Sequence, residues 1–194
     1  MIKIGLTGSI ASGKSYVLNL FSDLYNIAIF SSDECVKELY KSNDQLKDFV
    51  KKHILEKDEE LNKTNISENV FNNKEKLLKL EKFIHPLVKL ARDRFIEQEK
   101  ENNSKIVIVE VPLLFEKNLE NDFDFIILVK TSSDLQEKRV LERPNMTAEL
   151  FSKIKKKQLP NIRKEERSHF VIDNINREDT IKKIDTIMKN IKMN

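Results

Sequence analysis

The sequence predicts an α/β protein in which a parallel sheet is flanked by helices. Apolar runs rich in Val, Ile and Phe recur along the chain at residues 2–7, 26–30, 105–112, 123–129 and 170–173. Such runs are typical of buried strands. Stretches with apolar residues at helical spacing separate them. Because strands that alternate with helices form parallel sheets, this order of elements predicts the fold class.

Size and composition restrict the classes of protein to which the chain can belong. The chain of 194 residues is long enough for one α/β domain with inserted segments. Its 35 basic and 32 acidic residues are too evenly balanced to favour nucleic acid as a partner. No apolar stretch approaches the roughly 20 residues of a membrane span. A single cysteine, Cys35, excludes an internal disulfide, and the N-terminus reads as a strand rather than a signal peptide. We therefore expect a cytoplasmic protein.

Residues 8–15 match the phosphate-binding pattern G-x-x-x-x-G-K-[ST]. Glycines in this pattern let successive backbone N–H groups turn toward phosphate oxygens. Lys14 would reach the β and γ phosphates, and the Ser15 hydroxyl would bind Mg²⁺. A predicted strand precedes the loop and a predicted helix follows it, which is the context that the motif requires. All 3 glycines of the chain lie at this turn: Gly5, Gly8 and Gly13.

Asp33 is a candidate functional carboxylate because it follows the second predicted strand. Ligands of open α/β sheets bind beyond the carboxyl ends of the strands, so Asp33 could face the loop that carries Lys14. It could equally be the N-cap of the next helix. One aspartate can serve both purposes, and the pattern leaves the two readings open.

Residues 43–103 read as a helical insertion, since they contain no glycine and are dominated by helix formers. A polar break at residues 58–65 separates two helical parts, and Pro86 is expected to end or kink the second. His85 precedes this proline. A lone histidine is more often a hydrogen-bonded structural residue than a catalytic one, so its pattern alone assigns it no function.

A basic segment, residues 139–168, is interpreted as a lid. A helix predicted over residues 133–143 carries Arg139 and Arg143, which are four positions apart and would project from one face to clamp phosphate. Thr147 can cap a further helix that runs to about Gln158. The lysines of that helix are typical of a solvated face.

The absence of motifs from other nucleotide-binding classes limits the kinds of phosphate chemistry that the chain could perform. Guanine-nucleotide switches need a D-x-x-G loop, and no glycine follows Gly13. Motor-type ATPases place an acidic residue at the end of an apolar strand, and Glu110 nearly fits that position. The chain is small, however, and shows no evident surface for the assembly that such ATPases form. What remains is a small kinase with a donor loop, an acceptor-binding insertion and an arginine-bearing lid.

Several further motifs resemble the dephospho-coenzyme A kinase family over nearly the whole chain. They are the loop with its preceding Gly5-Leu6-Thr7, Asp33, His85-Pro86, the segment 111–116 (Val-Pro-Leu-Leu-Phe-Glu), Arg139, Arg143, Gln158 and the segment 171–174 (Val-Ile-Asp-Asn). The resemblance implies a P-loop kinase core with a helical acceptor-binding insertion and a lid. It also implies ATP-dependent phosphorylation of the ribose 3′-hydroxyl of dephospho-coenzyme A, the last step of coenzyme A synthesis.

The resemblance further implies the site residues. ATP would be bound by Gly8, Ala11, Ser12, Gly13, Lys14, Ser15, Tyr16 and Asn174, with Mg²⁺ on Ser15. The acceptor would be bound by Asp33, His85, Pro112, Leu113 and Leu114. Catalysis would rest on Lys14, on Arg139 and Arg143 as the lid closes, and on Asp33 as the base that orients and deprotonates the hydroxyl. The partners expected are these small molecules, with a monomer or a small homo-oligomer as the assembly.

The chain departs from the family pattern at three places. Ser9 and Ala11 replace two glycines of the loop, so that Ala11 must adopt a backbone conformation that a Cβ tolerates. Ser31 replaces the first aspartate of a D-A-D sequence, and Ser168-His169 replaces an A-D pair. The lysine and serine of the loop and Asp33 are all retained.

Two rival functions share the loop. One is a kinase of the same architecture that acts on a nucleoside monophosphate or a small polyol, and would differ in the insertion. The other is a nucleotide-dependent binding or regulatory protein that hydrolyses ATP slowly. Turnover that depends on one acceptor would separate a kinase from the second rival.

Overall fold

The computed structural model describes residues 1–71, 73–144 and 146–193, with backbone alone for residues 192 and 193. The chain divides into two compact units. The first, unit 1, consists of residues 1–31 and the described residues from 98 onward. The second, unit 2, consists of Ser32–Glu97. The predicted boundaries of the insertion, 43–103, and of the lid, 139–168, stay predictions.

Unit 1 contains a five-stranded sheet in which every neighbouring pair is parallel. The strands are β1 (Ile2–Thr7), β2 (Ala28–Ser31), β3 (Ile106–Glu110), β4 (Phe125–Lys130) and β5 (Phe170–Asp173). Their order is β2-β3-β1-β4-β5, so β1 lies at the centre. The loop that follows β1 therefore leaves the middle of the sheet at its carboxyl edge. The fold class predicted from the sequence is confirmed.

The described part of the chain contains nine helices, and several differ in extent from the prediction. They are α1 (Lys14–Tyr25), α2 (Ser32–Ser42), α3 (Asp44–His53), α4 (Lys63–Phe71), α5 (Lys74–Glu101), α6 (Ser133–Leu141), α7 (Ala148–Lys157), α8 (Asn161–Glu165) and α9 (Arg177–Met193). A single turn of 3₁₀-helix covers Glu120–Asp122. None of the helices in the described part of the chain is both long and apolar enough to cross a membrane.

Helices α1 and α9 cover one face of the sheet. The apolar side chains of α1, among them Val17, Leu18 and Phe21, share a core with strand residues such as Ile4 and Ile127. Their helical spacing puts them on the buried side of α1, which is why the pattern after the loop predicts this helix. The opposite side of β1 meets the segment after β3, because a Cβ on Gly5 would lie 2.8 Å from Leu114 Cδ1.

Unit 2 is helical and has its own core. Leu46 and Val50 of α3, together with Ile54 just after it, share this core with Leu80 and Ile84 of α5. A break between two helical parts is present as predicted, but at residues 54–62 rather than 58–65, since α3 ends at His53 and α4 begins at Lys63.

Helix α5 continues through Pro86, so of the two effects expected of this proline, an end or a kink, the helix does not end there. A proline inside a helix removes one backbone hydrogen bond. The buried Leu80, Ile84 and Arg92 lie on either side of Pro86. Packing of this face offsets the lost bond, because tertiary contacts provide most of a helix's stability.

Candidate active site

The loop between β1 and α1 needs a glycine at position 13. Gly13 has φ of 88°, in the left-handed region that glycine tolerates best. A Cβ at this position would lie 2.0 Å from the side-chain nitrogen of Asn174. Helix α1 begins at the next residue, so its N-terminal N–H groups open at the loop.

Gly8 is required for a different reason, namely the close approach of β4. A Cβ on Gly8 would lie 2.2 Å from the backbone oxygen of Val129. The two glycines kept in the loop are thus the two whose surroundings leave no room for a side chain.

Ala11 stands where the family pattern has a glycine, and it adopts φ of 56°. This left-handed conformation costs a residue with a Cβ about 1–2 kcal/mol. The methyl group is buried against Val140 and Phe151 of α6 and α7, with Ile10 and Met146 at the edge of the cluster. Burial of the methyl group offsets part of the backbone cost.

Asn174 ties the end of β5 to the loop. Its side-chain nitrogen donates to Ser12 O at 2.9 Å, and its backbone N–H donates to Lys130 O at 2.8 Å. Asn174 is buried, as is Thr180, whose hydroxyl lies 3.4 Å from Asn174 Oδ1. The predicted cofactor residue therefore lies against the loop.

Arg139 lies beside Gly13. One guanidinium nitrogen donates to Asn174 O at 3.3 Å. A second, Nη1, lies 3.5 Å from the position of a Cβ on Gly13 and is buried without a hydrogen-bond partner among the described residues. The hydroxyl of Ser12 in the same loop is also buried and unpaired. A buried donor without a partner costs about 1–3 kcal/mol, so this site is suited to receive an anion.

Arg143 does not share a helix face with Arg139, and that prediction is wrong. Helix α6 ends at Leu141, and Arg143 is an exposed residue of the turn that follows. The physical reason is Pro144, because a proline disfavours the helical conformation of the residue before it. Thr147 caps α7 as predicted, accepting from Leu150 N at 3.2 Å.

Lys14 folds back over the loop, and a cavity opens beside Gly13. The Lys14 ammonium donates to Ser9 O at 3.1 Å. The cavity has a volume of about 350 Å³ and is lined by Gly13, Tyr16, Arg139, Asn174, Ile175, Asn176 and Arg177. Arg177 donates to the Tyr16 hydroxyl at 3.3 Å. This lining combines apolar and cationic groups next to the phosphate-binding loop.

Glu110 was not among the predicted site residues. It is fully buried at the end of β3, and its carboxylate accepts from the Ser31 hydroxyl at 2.5 Å. An aspartate at position 31 would bring a second carboxylate to this place, whereas serine supplies a donor. The signal in the sequence was the apolar strand that ends in an acidic residue.

The residues predicted for the acceptor occupy two parts of the chain. In unit 1, Pro112 and Leu113 are half-buried after β3, and Leu114 is fully buried under Gly5. In unit 2, Asp33 and His85 are exposed. Asp33 lies in the first turn of α2, which begins at Ser32, so it is inside the helix rather than its N-cap.

The fold and the loop define a class of protein, the P-loop kinases. Shikimate kinase from Acinetobacter baumannii shows the same fold, with a TM-score of 0.57 at 11% identity over 99% of this chain and 94% of its own. Dephospho-CoA kinase from Campylobacter jejuni gives a TM-score of 0.67 at 26% identity, covering 98% of this chain and 97% of its own.

Sequence relatives identify the particular family. The pattern of the dephospho-CoA kinase family matches residues 2–179. The dephospho-CoA kinase of Bartonella quintana is 38% identical over 98% of this chain and 98% of its own length. That of Rhizobium meliloti is 32% identical over 89% of each. The chain belongs to the dephospho-CoA kinase family, which confirms the resemblance read from its motifs.

Proposed function

We propose that the chain transfers the γ-phosphoryl group of ATP to the ribose 3′-hydroxyl of dephospho-coenzyme A, giving coenzyme A and ADP. Membership of the dephospho-CoA kinase family supports this pair of substrates. The observation that carries the ATP-binding part of this proposal is the buried Nη1 of Arg139, which lies unpaired beside Gly13 of the loop.

The triphosphate would be held by the loop, Lys14 and Arg139. Backbone N–H groups at the start of α1 point toward the loop and favour anions. The Lys14 ammonium would exchange its bond to Ser9 O for phosphate oxygens. Arg139 Nη1 and the Ser12 hydroxyl would gain the hydrogen-bond partners that they lack among the described residues. Phosphoryl transfer needs such positioning and charge neutralisation more than covalent chemistry.

The cavity beside Gly13 suits the nucleoside of ATP. Tyr16 and Ile175 offer apolar surface, while Arg139 and Arg177 offer cationic planes that stack on aromatic rings. Asn174, predicted to bind the cofactor, would contribute by holding Ser12 of the loop in place through its hydrogen bond. This assignment adds Ile175 and Arg177 to the predicted set.

Two oxygen donors fit Mg²⁺. Ser15, the second residue of α1, is exposed, and Glu110 ends β3 with a buried carboxylate. Hydroxyl and carboxylate oxygens are ligands that Mg²⁺ accepts, directly or through its water shell. Mg²⁺ would neutralise charge on the β and γ phosphates. Ser31, by donating to Glu110, would orient that carboxylate.

For the acceptor, Asp33 stays the predicted base. A ribose hydroxyl is a poor nucleophile at neutral pH, and a carboxylate within hydrogen-bond reach can accept its proton. Asp33 is exposed, so its carboxylate is accessible to solvent and to ligand. Pro112, Leu113 and His85 stay predicted acceptor contacts. Leu114 is fully buried, so it would support Pro112 and Leu113 rather than touch the acceptor itself.

The rival functions are disfavoured by the family. A kinase of nucleoside monophosphates or polyols would share the loop but not the motifs that extend over residues 2–179. A slow ATP hydrolase would show no dependence on an acceptor. Monomer or small homo-oligomer, a cytoplasmic location and closure of the lid stay predictions.

The decisive experiment measures ADP release with dephospho-coenzyme A and with its 3′-deoxy and 2′-deoxy analogues. We expect turnover with the parent acceptor and the 2′-deoxy analogue, and none with the 3′-deoxy analogue. Lys14→Ala is the negative control for the loop. Equal ADP release with and without any acceptor would contradict the proposal, as would full turnover of the 3′-deoxy analogue.

A further inference from the structure

The backbone of Ile10 in the phosphate-binding loop is held on both sides by glutamine side chains. Gln136 of α6 donates from Nε2 to Ile10 O at 2.7 Å. Ile10 N donates to Oε1 of Gln158, the residue that follows α7, at 3.0 Å. Gln136 is buried, and Gln158 is half-buried. The N–H groups of this loop would donate to phosphate oxygens, yet the N–H of Ile10 donates to a protein side chain instead.

Gln158 is held in place by a buried ion pair. The next residue, Leu159, donates its backbone N–H to Glu116 Oε1 at 2.9 Å. The Lys164 ammonium lies 2.9 Å from the same oxygen, and the Lys164 side chain is 0% exposed. A lysine is almost never fully buried unless it is paired. Glu116 thus connects the segment after β3 to the residue beside Gln158.

A second bond reaches the loop from the same region. The hydroxyl of Ser9 donates to Oδ1 of Asn161, the first residue of α8, at 2.6 Å. Glycine, which the family pattern has at position 9, could not make this bond. Ser9 and Ile10 are therefore both attached to the stretch that contains Gln158 and Asn161.

These bonds lie directly before the strained residue of the loop. Ala11 has φ of 56°, and such a conformation persists only where the surroundings over-determine it. The bonds from Gln136 and Gln158 fix the peptide groups on both sides of Ile10. The turn into Ala11 is thereby held by side chains of unit 1.

We propose that Gln158 is a positioning residue of the nucleotide site: by accepting from Ile10 N–H, it keeps the loop in its phosphate-binding shape before the nucleotide arrives. Glu116 and Lys164 act through it by holding Leu159. This inference rests on the proposed function only in taking the loop as the nucleotide site. The acceptor plays no part in it.

Gln158→Leu tests the proposal because it removes the acceptor and keeps much of the apolar bulk. We expect the Kd of ADP, measured by calorimetry, and the KM of ATP to rise about 3- to 10-fold, the effect of one lost hydrogen bond. The KM of the acceptor and kcat at saturation should stay within about twofold. Gln98→Leu, the same substitution at an exposed position, is the matched control.

Hydrogen exchange of the Ile10 amide in the nucleotide-free protein supplies a readout apart from activity. Exchange should accelerate in Gln158→Leu and stay slow in Gln158→Glu, since the carboxylate still accepts. Unchanged exchange and unchanged ADP affinity in Gln158→Leu would overturn the proposal. Equal weakening of ADP and acceptor binding, with a lower Tm, would overturn it too, because that pattern indicates general loss of structure.

The role of Glu116 is tested with both charges removed, so that no unpaired lysine is left buried. Glu116→Gln with Lys164→Met keeps an acceptor for Leu159 N–H, whereas Glu116→Leu with Lys164→Met does not. We expect ADP affinity near that of the native protein in the first double variant and a loss like that of Gln158→Leu in the second. Equal ADP affinities in the two double variants would show that Glu116 does not support Gln158 through Leu159. Native protein that binds ADP but does not phosphorylate dephospho-coenzyme A would contradict the proposed function alone.

Discussion

At the scale of single residues, the loop accommodates a positive φ in two different ways, at Gly13 and at Ala11. Gly13 meets it with no side chain, and the space where a Cβ would lie is filled by Asn174. Ala11 meets it with a methyl group that is buried against Val140 and Phe151. The first position admits only glycine, whereas the second admits alanine because its surroundings supply apolar contact.

Asp33→Asn tests the predicted base. Asparagine keeps the shape of the side chain but cannot accept a proton from the ribose hydroxyl. We expect kcat to fall by about 10²–10⁴-fold, the usual contribution of a general base. Steady-state kinetics with saturating ATP would measure this, and the Kd of ADP should stay unchanged. A kcat within a few-fold of the native value would leave Asp33 as a residue of the first helical turn.

Arg139→Lys tests the cation beside the loop. Lysine keeps the charge but loses the planar fork that reaches Asn174 O and that, in the proposed function, also binds the phosphates. We expect kcat/KM for ATP to fall about 10-fold or more, because the lost interaction is a charge-assisted hydrogen bond. Arg143→Lys is the comparison, since Arg143 lies in the exposed turn after α6. An equal or larger loss in Arg143→Lys would show that the turn reaches the phosphates.

At the scale of elements, a hydrogen bond links α1 to α9. The Tyr25 hydroxyl donates to Asp185 Oδ1 at 2.6 Å. Burial, the hydrogen bond to Asp185 and the charge of Asp185 raise the pKa of Tyr25 from 10.0 to about 12. All three disfavour the phenolate, so the link depends on the protonated tyrosine.

The sign of the pH dependence follows from this raised pKa. The contribution of the link to stability is complete below pH 10, the unfolded pKa, and is lost as pH rises through about 12. Unfolding by denaturant at pH 9 to 12 should therefore show a steeper loss of stability in the native protein than in Tyr25→Phe. Parallel curves for the two proteins would contradict the assignment of this pKa shift.

Helix α7 exposes its lysines, and their charges are expected to matter little. Lys155 lies 5.6 Å from the Phe151 ring, and Lys156 is exposed. We expect Lys155→Ala and Lys156→Ala to change kcat by less than about twofold, and mainly at low salt, because exposed charges are screened. Kinetics at two ionic strengths would measure this. A loss larger than that of Arg139→Lys would mean that α7 presents these lysines to the phosphates.

At the scale of unit 1, the segment after β3 packs directly on the central strand, β1. Gly5 of β1 leaves no room for a side chain, since a Cβ would lie 2.8 Å from Leu114 Cδ1 and 2.9 Å from the Phe123 ring. The segment after β3, which carries Pro112 and Leu113, thereby rests directly on the strand that leads into the loop.

Gly5→Ala should destabilise the protein by about 1–3 kcal/mol through overpacking, measured by denaturant unfolding. Leu114→Val makes room, so the double variant should lose at least about 0.5 kcal/mol less than the sum of the single losses. Strict additivity would show that Leu114 is not the group that a Cβ at position 5 displaces.

The sequence by itself determined the features that depend on neighbouring residues. The strand, loop and helix around Lys14 form one continuous stretch, so a local pattern suffices to predict them. The order of strands and helices likewise predicted a parallel sheet. Motifs spread over the chain predicted the family, since they are recognised as residue types at given spacings without any contact between them.

The tertiary structure decided what depends on contacts between distant residues. Ile10 and Gln158 are 148 positions apart, and Ser31 and Glu110 are 79 apart, so no local pattern indicates either bond. The burial of Lys164 is another case, because a lysine in a basic segment reads as solvated until Glu116 is found beside it. Packing also carried α5 through Pro86, against the local preference of the backbone. Local energies choose the elements, whereas burial and pairing across the fold choose which side chains form the site.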